Sequence, residues 1–272
     1  MNPALTDVPE TMLWTLHNRA SEASRPDGVF DDPEAIRIYR ALDYDYERSF
    51  GPAEASHALR SMLFDRELRR FAEAYADAVV VNLGEGLETQ RYRVDVPGLD
   101  WVSVDLPDAQ RVRERFITPD ARHRHVARSA LDTAWFDEVP PGRPTFITAQ
   151  GLFMYFAETD LRPLVAAMAE RFAGGALMFD AIPPWLSKKT MAPGGWQKTP
   201  HYTTPPMPWG IKRSALETTL RSWAPSLRSV TPLRYPRFPR GFLNRYVFEL
   251  FARTPGLRDL APQVALVRFG EG

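Results

Sequence analysis

The chain reads as an α/β protein built on a doubly wound, mostly parallel sheet. Three observations predict this. Short apolar runs recur through the middle of the chain, segments of helical or turn character separate them, and the first run ends on a glycine turn, 79-VVVNLGEGLETQRYR-93. Strands that alternate with helices connect by right-handed crossovers, which places neighbouring strands parallel.

The elements follow in order. Residues 8–50 mix helical pieces with turns. The run 57-HALRSMLFDRELRRFAEAY-75 spaces Leu59, Met62, Leu63, Leu68, Phe71 and Tyr75 near the helical period. Strands are expected at 78-AVVVNL-83, 101-WVSVDL-106, 123-HRHVAR-128 (the weakest), 145-TFITAQ-150 and 175-GALMFDAI-182. Between them lie 107-PDAQRVRERF-116 and 159-TDLRPLVAAMAERFA-173, the second with Thr159 or Asp160 as N-cap and Gly174-Gly175 as its stop. A helix is expected near 212-KRSALETTLRSWA-224, and 263-QVALVRFG-270 reads as a last, antiparallel strand near the sheet edge. One domain spans 1–272, with a helical cover over 1–75 and a Pro/Trp-rich insertion over 183–210 that caps one end of the sheet. Trp185, Trp196, Tyr202 and Trp209 interleave with the prolines crowded into 183–239, which marks ordered loops rather than a disordered linker.

Composition narrows the class. The 272 residues suffice to bury a sizeable core. Formal net charge is zero, so bulk electrostatics favours neither nucleic acid nor an acidic membrane surface. There is no cysteine, which excludes disulfides, thiolate catalysis and Cys-based metal sites. MNPALTDVPE lacks the basic-then-apolar pattern of a secretory signal, and no apolar run approaches the roughly 18 residues of a membrane helix. The expectation is a soluble, cytoplasmic monomer or homodimer acting on a small molecule, with no nucleic-acid or membrane partner. Arg234, Arg237, Arg240 and Arg245 in 234-RYPRFPRGFLNRYVF-248 read as a solvated face rather than a nucleic-acid surface.

Ligands of open parallel sheets bind at the carboxyl ends of the strands. Gly84 and Gly86 stand where the first strand ends, and glycine there permits a sharp turn and close ligand approach. Asp105 ends the second strand roughly 20 residues further on, the position from which a carboxylate grips a ribose diol. A Gly-x-Gly alone serves equally as a plain turn, but with this acid it points to a nucleoside-bearing ligand. The third glycine of a dinucleotide fingerprint is replaced by Thr89. Without that pyrophosphate device, S-adenosylmethionine is favoured, since it carries no phosphate.

These motifs, together with 8-VPETMLWTLHNRASEASRPDGVFDDPEA-35, 60-RSMLFD-65 and 148-TAQGLFMYF-156, resemble the leucine carboxyl methyltransferase family, in its bacterial branch of polyketide-type carboxyl O-methyltransferases. The resemblance implies a seven-stranded, class I S-adenosylmethionine-dependent methyltransferase fold. It implies that Arg19 and Arg60 hold the carboxylate of the cofactor's amino-acid moiety. Gly84 and Gly86 pass beneath the cofactor, and Asp105 binds its ribose. Leu106 packs on adenine, Ser129 and Ala130 flank the adenine edge, Gln150 lies below the methionyl group, and Tyr155 stands near the transferred methyl. Three positions depart from the family pattern. Glu85 puts a carboxylate in the glycine turn, facing solvent or the cofactor ammonium. Ser129 replaces an acid that Asp132 would supply instead. Gln150 replaces a glutamate and keeps an acceptor without its charge.

Methyl transfer is an in-line displacement that needs alignment above all. A carboxylate acceptor is already ionised at neutral pH, whereas a phenol needs a base or a metal. His123 and His125 are expected on opposite faces of the third strand, a poor pair for a metal, and no metal site is read. His201, in the insertion, is the histidine placed to orient or deprotonate an acceptor. Trp196 and Tyr202, with Trp185, Trp209 and Lys188, Lys189 and Lys198, make an apolar cover with a basic rim for an acidic substrate. The expected function is O-methylation of a small-molecule carboxylate in secondary metabolism. The alternatives are a hydroxyl O-methyltransferase on the same fold and a catalytically silent cofactor-binding subunit.

Overall fold

Side-chain alternation organises the sheet. In β1 (Val79–Leu83), Val79, Val81 and Leu83 enter one apolar layer and Val80 the other, as a period of two demands. Burial on both faces makes the strand an unbroken apolar run. The computed structural model describes residues 7–240, 254 and 256–271.

Strands β2 (Asp100–Asp105), β3 (His123–Ala127), β4 (Thr145–Ala149) and β5 (Ala176–Ala181) extend the sheet in parallel. A short hairpin follows, β6 (Trp196–Thr199) and β7 (Tyr202–Thr204), and then β8 (Ser229–Leu233) and β9 (Gln263–Arg268). The seven-stranded sheet runs β3-β2-β1-β4-β5-β9-β8, with β9 antiparallel to both neighbours. Strand order reverses between β1 and β4, so the crevice above their carboxyl ends is where such a sheet receives a ligand.

Nine α-helices surround it among the described residues: α1 (Asp7–Ala23), α2 (Pro33–Ala41), α3 (Tyr46–Phe50), α4 (Ser56–Ala74), α5 (Gln90–Arg93), α6 (Pro107–Arg113), α7 (Glu158–Arg171), α8 (Pro184–Met191) and α9 (Leu216–Trp223). Leu63, Phe64, Leu68 and Phe71 of α4 bury one face of the sheet. Leu161, Val165 and Met168 of α7, with Leu216 and Leu220 of α9, bury the other. Each such side chain contributes ~1.5–3 kcal/mol by leaving water. Helices α1–α3 form a third apolar cluster with Ala109 and Val112 of α6, and this cluster sits over the β1 end of the crevice.

Four details depart from the sequence expectation. Helix α7 begins at Glu158 behind Ala157, so neither Thr159 nor Asp160 is its N-cap. Strand β8 escapes notice because Pro232 interrupts it, and the sheet tolerates that proline because β8 is an edge strand. The insertion holds the helix α8 and the hairpin β6–β7 rather than loop alone. His123 and His125 share one face of β3, with rings 4.5 Å apart, because residues two apart on a strand point the same way. Of the arginine-rich stretch 234–248, residues 241–248, including Arg245, lie outside the described residues.

Candidate active site

The turn after β1 requires glycine twice over. Gly84 and Gly86 adopt φ of +60° and +52°, the left-handed region. A Cβ at Gly84 would stand 2.7 Å from Leu152 Cδ1, and one at Gly86 would stand 2.8 Å from Met12 Cβ. The glycines thus admit neighbouring side chains as well as a ligand.

Asp105, at the end of β2, faces this turn. Its Oδ2 accepts from the Gly86 N–H at 2.6 Å and its Oδ1 from the Leu106 N–H at 2.7 Å. Burial pushes its pKa up to about 6, against the pull of those two donors. Its remaining lone pairs are available to hydroxyl donors. Gly84, Gly86, Asp105, Leu106, Ser129 and Ala130 line a cavity of about 180 Å³, roofed by Thr11, Met12 and Thr15 of α1. Gln150, just past β4, also lines it, and its Oε1 is buried without a hydrogen-bond partner. A bare backbone bend, a carboxylate with acceptor capacity and an orphaned amide oxygen suit a nucleoside with a cationic amino-acid tail.

Three expected contacts lie elsewhere. Glu85 borders the cavity, yet its carboxylate points neither to solvent nor to the ligand space. It meets Arg113 at 2.9 Å behind the turn and accepts from Asn82 Nδ2 at 2.8 Å and from the Ser103 hydroxyl. Arg19 is wholly buried outside the cavity. Its Nη1 donates to Asp32 at 2.9 Å, Glu88 at 3.1 Å and Thr89 Oγ1 at 2.8 Å, and its Nη2 to the Leu87 carbonyl at 2.7 Å. Burial would raise the Glu88 pKa, but Arg19 and Arg93 outweigh it and hold that carboxyl below the usual range. Arg19 therefore belongs to an ion-pair cluster that ties α1 to the turn. Asp132 pairs with Arg128, caps the Ala134 N–H and does not line the cavity.

A second cavity, of about 390 Å³, opens beside the first and shares Thr11, Thr15, Arg60, Gly151 and Tyr155 with it. Helix α4 brings Ser56, His57 and Arg60 to its wall, and the β6–β7 hairpin brings Trp196 and Lys198. Arg213, Arg234, Tyr235 and Arg258 close the far side. Arg60 is buried and donates from Nη1 to Asp180 at 2.9 Å. Asp180, at the end of β5, also accepts from the Gly151 N–H at 2.5 Å. Burial pushes the Tyr155 phenol up to about 12, so it remains protonated at neutral pH. His201 is exposed at the hairpin turn and lines neither cavity. Tyr202 is buried against Phe50, ring centroids 4.8 Å apart, and lines neither cavity. Sequence reading missed His57 and Asp180. The i, i+3 spacing of His57 and Arg60 on a helix that reaches the crevice was the available signal. Among the described residues, no group of three His, Asp or Glu is placed to hold a metal, and no helix is long and apolar enough to cross a membrane.

Comparison with known proteins agrees with this geometry. The profile described as leucine carboxyl methyltransferase matches residues 12–169. The tetracenomycin polyketide synthesis O-methyltransferase TcmP of Streptomyces glaucescens is 33% identical over 204 residues, which cover 71% of this chain and 76% of that protein. The S-adenosyl-L-methionine-dependent methyltransferase dpfgK of Gibberella zeae is 26% identical over 199 residues, 65% of this chain and 67% of that protein. Among solved structures, the plantazolicin methyltransferase BamL, in complex with a triazolic desmethylPZN analog and SAH, superposes with a TM-score of 0.54. The match covers 97% of this chain and 100% of that one at 11% identity, a likeness of fold. The chain belongs to the leucine carboxyl methyltransferase family and is an S-adenosylmethionine-dependent methyltransferase.

Proposed function

We propose that this enzyme methylates the carboxylate of a small-molecule acid, aromatic or polyketide-like, in secondary metabolism. One observation carries the reading. A cavity walled by Trp14, Trp196 and Tyr235, with Arg213, Arg234, Arg258 and Lys198 around it, adjoins the glycine-turn cavity across Arg60 and Tyr155. Aromatic walls fit a flat apolar body, and the cations fit an anion on it. TcmP, a relative at 33% identity named as a polyketide synthesis O-methyltransferase, supports O-methylation of a polyketide-like acceptor.

Bound S-adenosylmethionine supplies a methyl group activated on a sulfonium. The chain's own part is to hold and align. Asp105 accepts hydrogen bonds from the ribose diol beside the Gly84–Gly86 bend. Leu106, Ser129 and Ala130 border the adenine. Gln150 Oε1, otherwise orphaned, accepts from the ammonium. Arg60, at the border of both cavities, holds the carboxylate of the amino-acid moiety. Tyr155 fixes the acceptor beside the methyl, and Trp196 supports its apolar body. An ionised carboxylate needs no base, so orientation supplies the rate. His201 takes no part.

The test pairs aromatic acids with the corresponding phenols in the presence of methyl-labelled S-adenosylmethionine. Label released as methanol by mild alkali, from acids alone, is expected. Label retained in alkali-stable ethers, or no transfer to any acid, would overturn the reading.

A further inference from the structure

His57 lines the second cavity one helical turn before Arg60 on α4. Its protonation pattern follows from its partner. Asn18, buried on α1, accepts from the Glu54 backbone N–H through Oδ1 at 3.1 Å, which identifies its other amide atom as the NH2 group. That NH2 stands 2.8 Å from His57 Nδ1. An amide nitrogen has only protons to offer, so Nδ1 must present its lone pair. A neutral imidazole then carries its proton on Nε2. Trp14 meets the ring edge-on, centroids 5.5 Å apart, and fixes its plane.

The surroundings oppose a second proton. Burial, with Arg60, Arg19 and Lys198 nearby and only Glu88 opposing them, holds the imidazole well below its usual pKa. His57 also sits in the first turn of a 19-residue helix whose N-cap, Ala55, makes no side-chain capping bond. The partial positive charge there disfavours imidazolium and favours an anion. The carboxylates of this cavity are already engaged: Glu54 pairs with Lys198 at 3.1 Å and Asp180 with Arg60. Tyr155 stays a phenol. This end of the cavity therefore presents donors and no free base.

Resting on the carboxylate reading above, we infer that His57 is a catalytic residue that donates a hydrogen bond from Nε2 to the acceptor oxygen, with Asn18 as the positioning residue that fixes its tautomer, and that the enzyme accepts only oxygens that arrive ionised. No proton moves in the transfer: one acceptor oxygen forms the new C–O bond, the methyl–sulfur bond breaks, and its electron pair stays on sulfur.

Nitrogen-15 NMR of the imidazoles, with His57 assigned by loss of its signals in His57→Gln, reads the tautomer directly. A neutral Nε2–H form across neutral pH is expected. An Nδ1–H form or an imidazolium would overturn the inference, whether or not any acid is methylated, so its failure is separable from failure of the carboxylate reading. Kinetics on a methylated acid supply the second readout. His57→Gln retains a donor and should keep kcat/KM within about fivefold. His57→Phe keeps the ring volume without the donor and should lose roughly 10–100-fold, with S-adenosylhomocysteine affinity unchanged as the folding control. Asn18→Asp, whose carboxylate accepts a hydrogen bond from Nδ1–H and so leaves Nε2 with the lone pair, should introduce a pH dependence that the native enzyme lacks. Native kinetics in His57→Phe would refute the role. So would a His57→Gln variant as inactive as His57→Phe, together with a native rate that rises as a histidine deprotonates.

Discussion

Behind the glycine turn, the side chains of Arg19, Arg93 and Arg113 are buried and each meets a carboxylate: Asp32 and Glu88, then Asp32, Asp65 and Glu88, then Glu85. Around the acceptor cavity, Arg213, Arg234 and Arg258 border open space and form no ion pair among the described residues. Arg213 is instead tethered to the carbonyls of Leu233 and Pro232, at 3.1 and 2.8 Å, and its pKa is lowered by burial, with Arg258 and Arg234 beside it. A guanidinium sealed inside the protein must be matched there, because an unpaired buried charge is costly. One at a cavity wall keeps its donors for an anion that arrives later. The first group holds up the turn, and the second lines a cavity.

The largest expected effect breaks the first group. Arg93→Ala strands Asp65, leaves Asp32 and Glu88 with Arg19 as their one remaining arginine partner, and should cost ~3–5 kcal/mol in urea unfolding at neutral pH. A loss below ~1 kcal/mol would show that these charges behave like surface pairs. Next, Asp105→Asn should weaken S-adenosylhomocysteine binding ~10–100-fold in titration calorimetry, because hydrogen bonds to a charged acceptor are lost. It should not lower stability. The folded pKa of Asp105, about 6, lies above the ordinary carboxylate value near 4. As pH rises between these values, the unfolded chain releases its proton first and the folded chain retains it, so this group's contribution to stability falls with pH. Thermal melts across that window should show the native protein losing stability relative to Asp105→Asn.

Smaller effects belong to the second group. Arg213→Leu should raise KM for an aromatic acid ~10-fold, and added salt should weaken the native enzyme more than the variant. Equal KM values would remove the cationic wall from the account. His201→Ala should change kcat/KM by no more than about twofold, as expected of an exposed turn residue remote from both cavities.

That Gly84, Gly86 and Asp105 meet at one cavity was legible because its signals are local. Gly84, Gly86 and Asp105 report backbone turns and a strand end, and a periodic apolar pattern locates both. The second cavity is assembled from α4, the β6–β7 hairpin, residues 233–238 and Arg258, which meet only in three dimensions. The spacing of His57 and Arg60 puts both on one helix face, but only the fold shows that this face lines the cavity while His201 faces water. Arg19 and Glu85 misled for a related reason: a charged residue beside a ligand turn looks the same in sequence whether it faces the ligand or holds up the turn from behind. Only the partners Asp32, Glu88 and Arg113, up to 69 residues away along the chain, decide it.

The most direct measurement is calorimetric titration of S-adenosylhomocysteine into the native protein, Asp105→Asn and Arg213→Leu side by side. A large loss of affinity is expected in Asp105→Asn and native affinity in Arg213→Leu. Native affinity in Asp105→Asn, or an equal loss in both variants, would contradict the division of the crevice into a nucleoside cavity and an acid cavity.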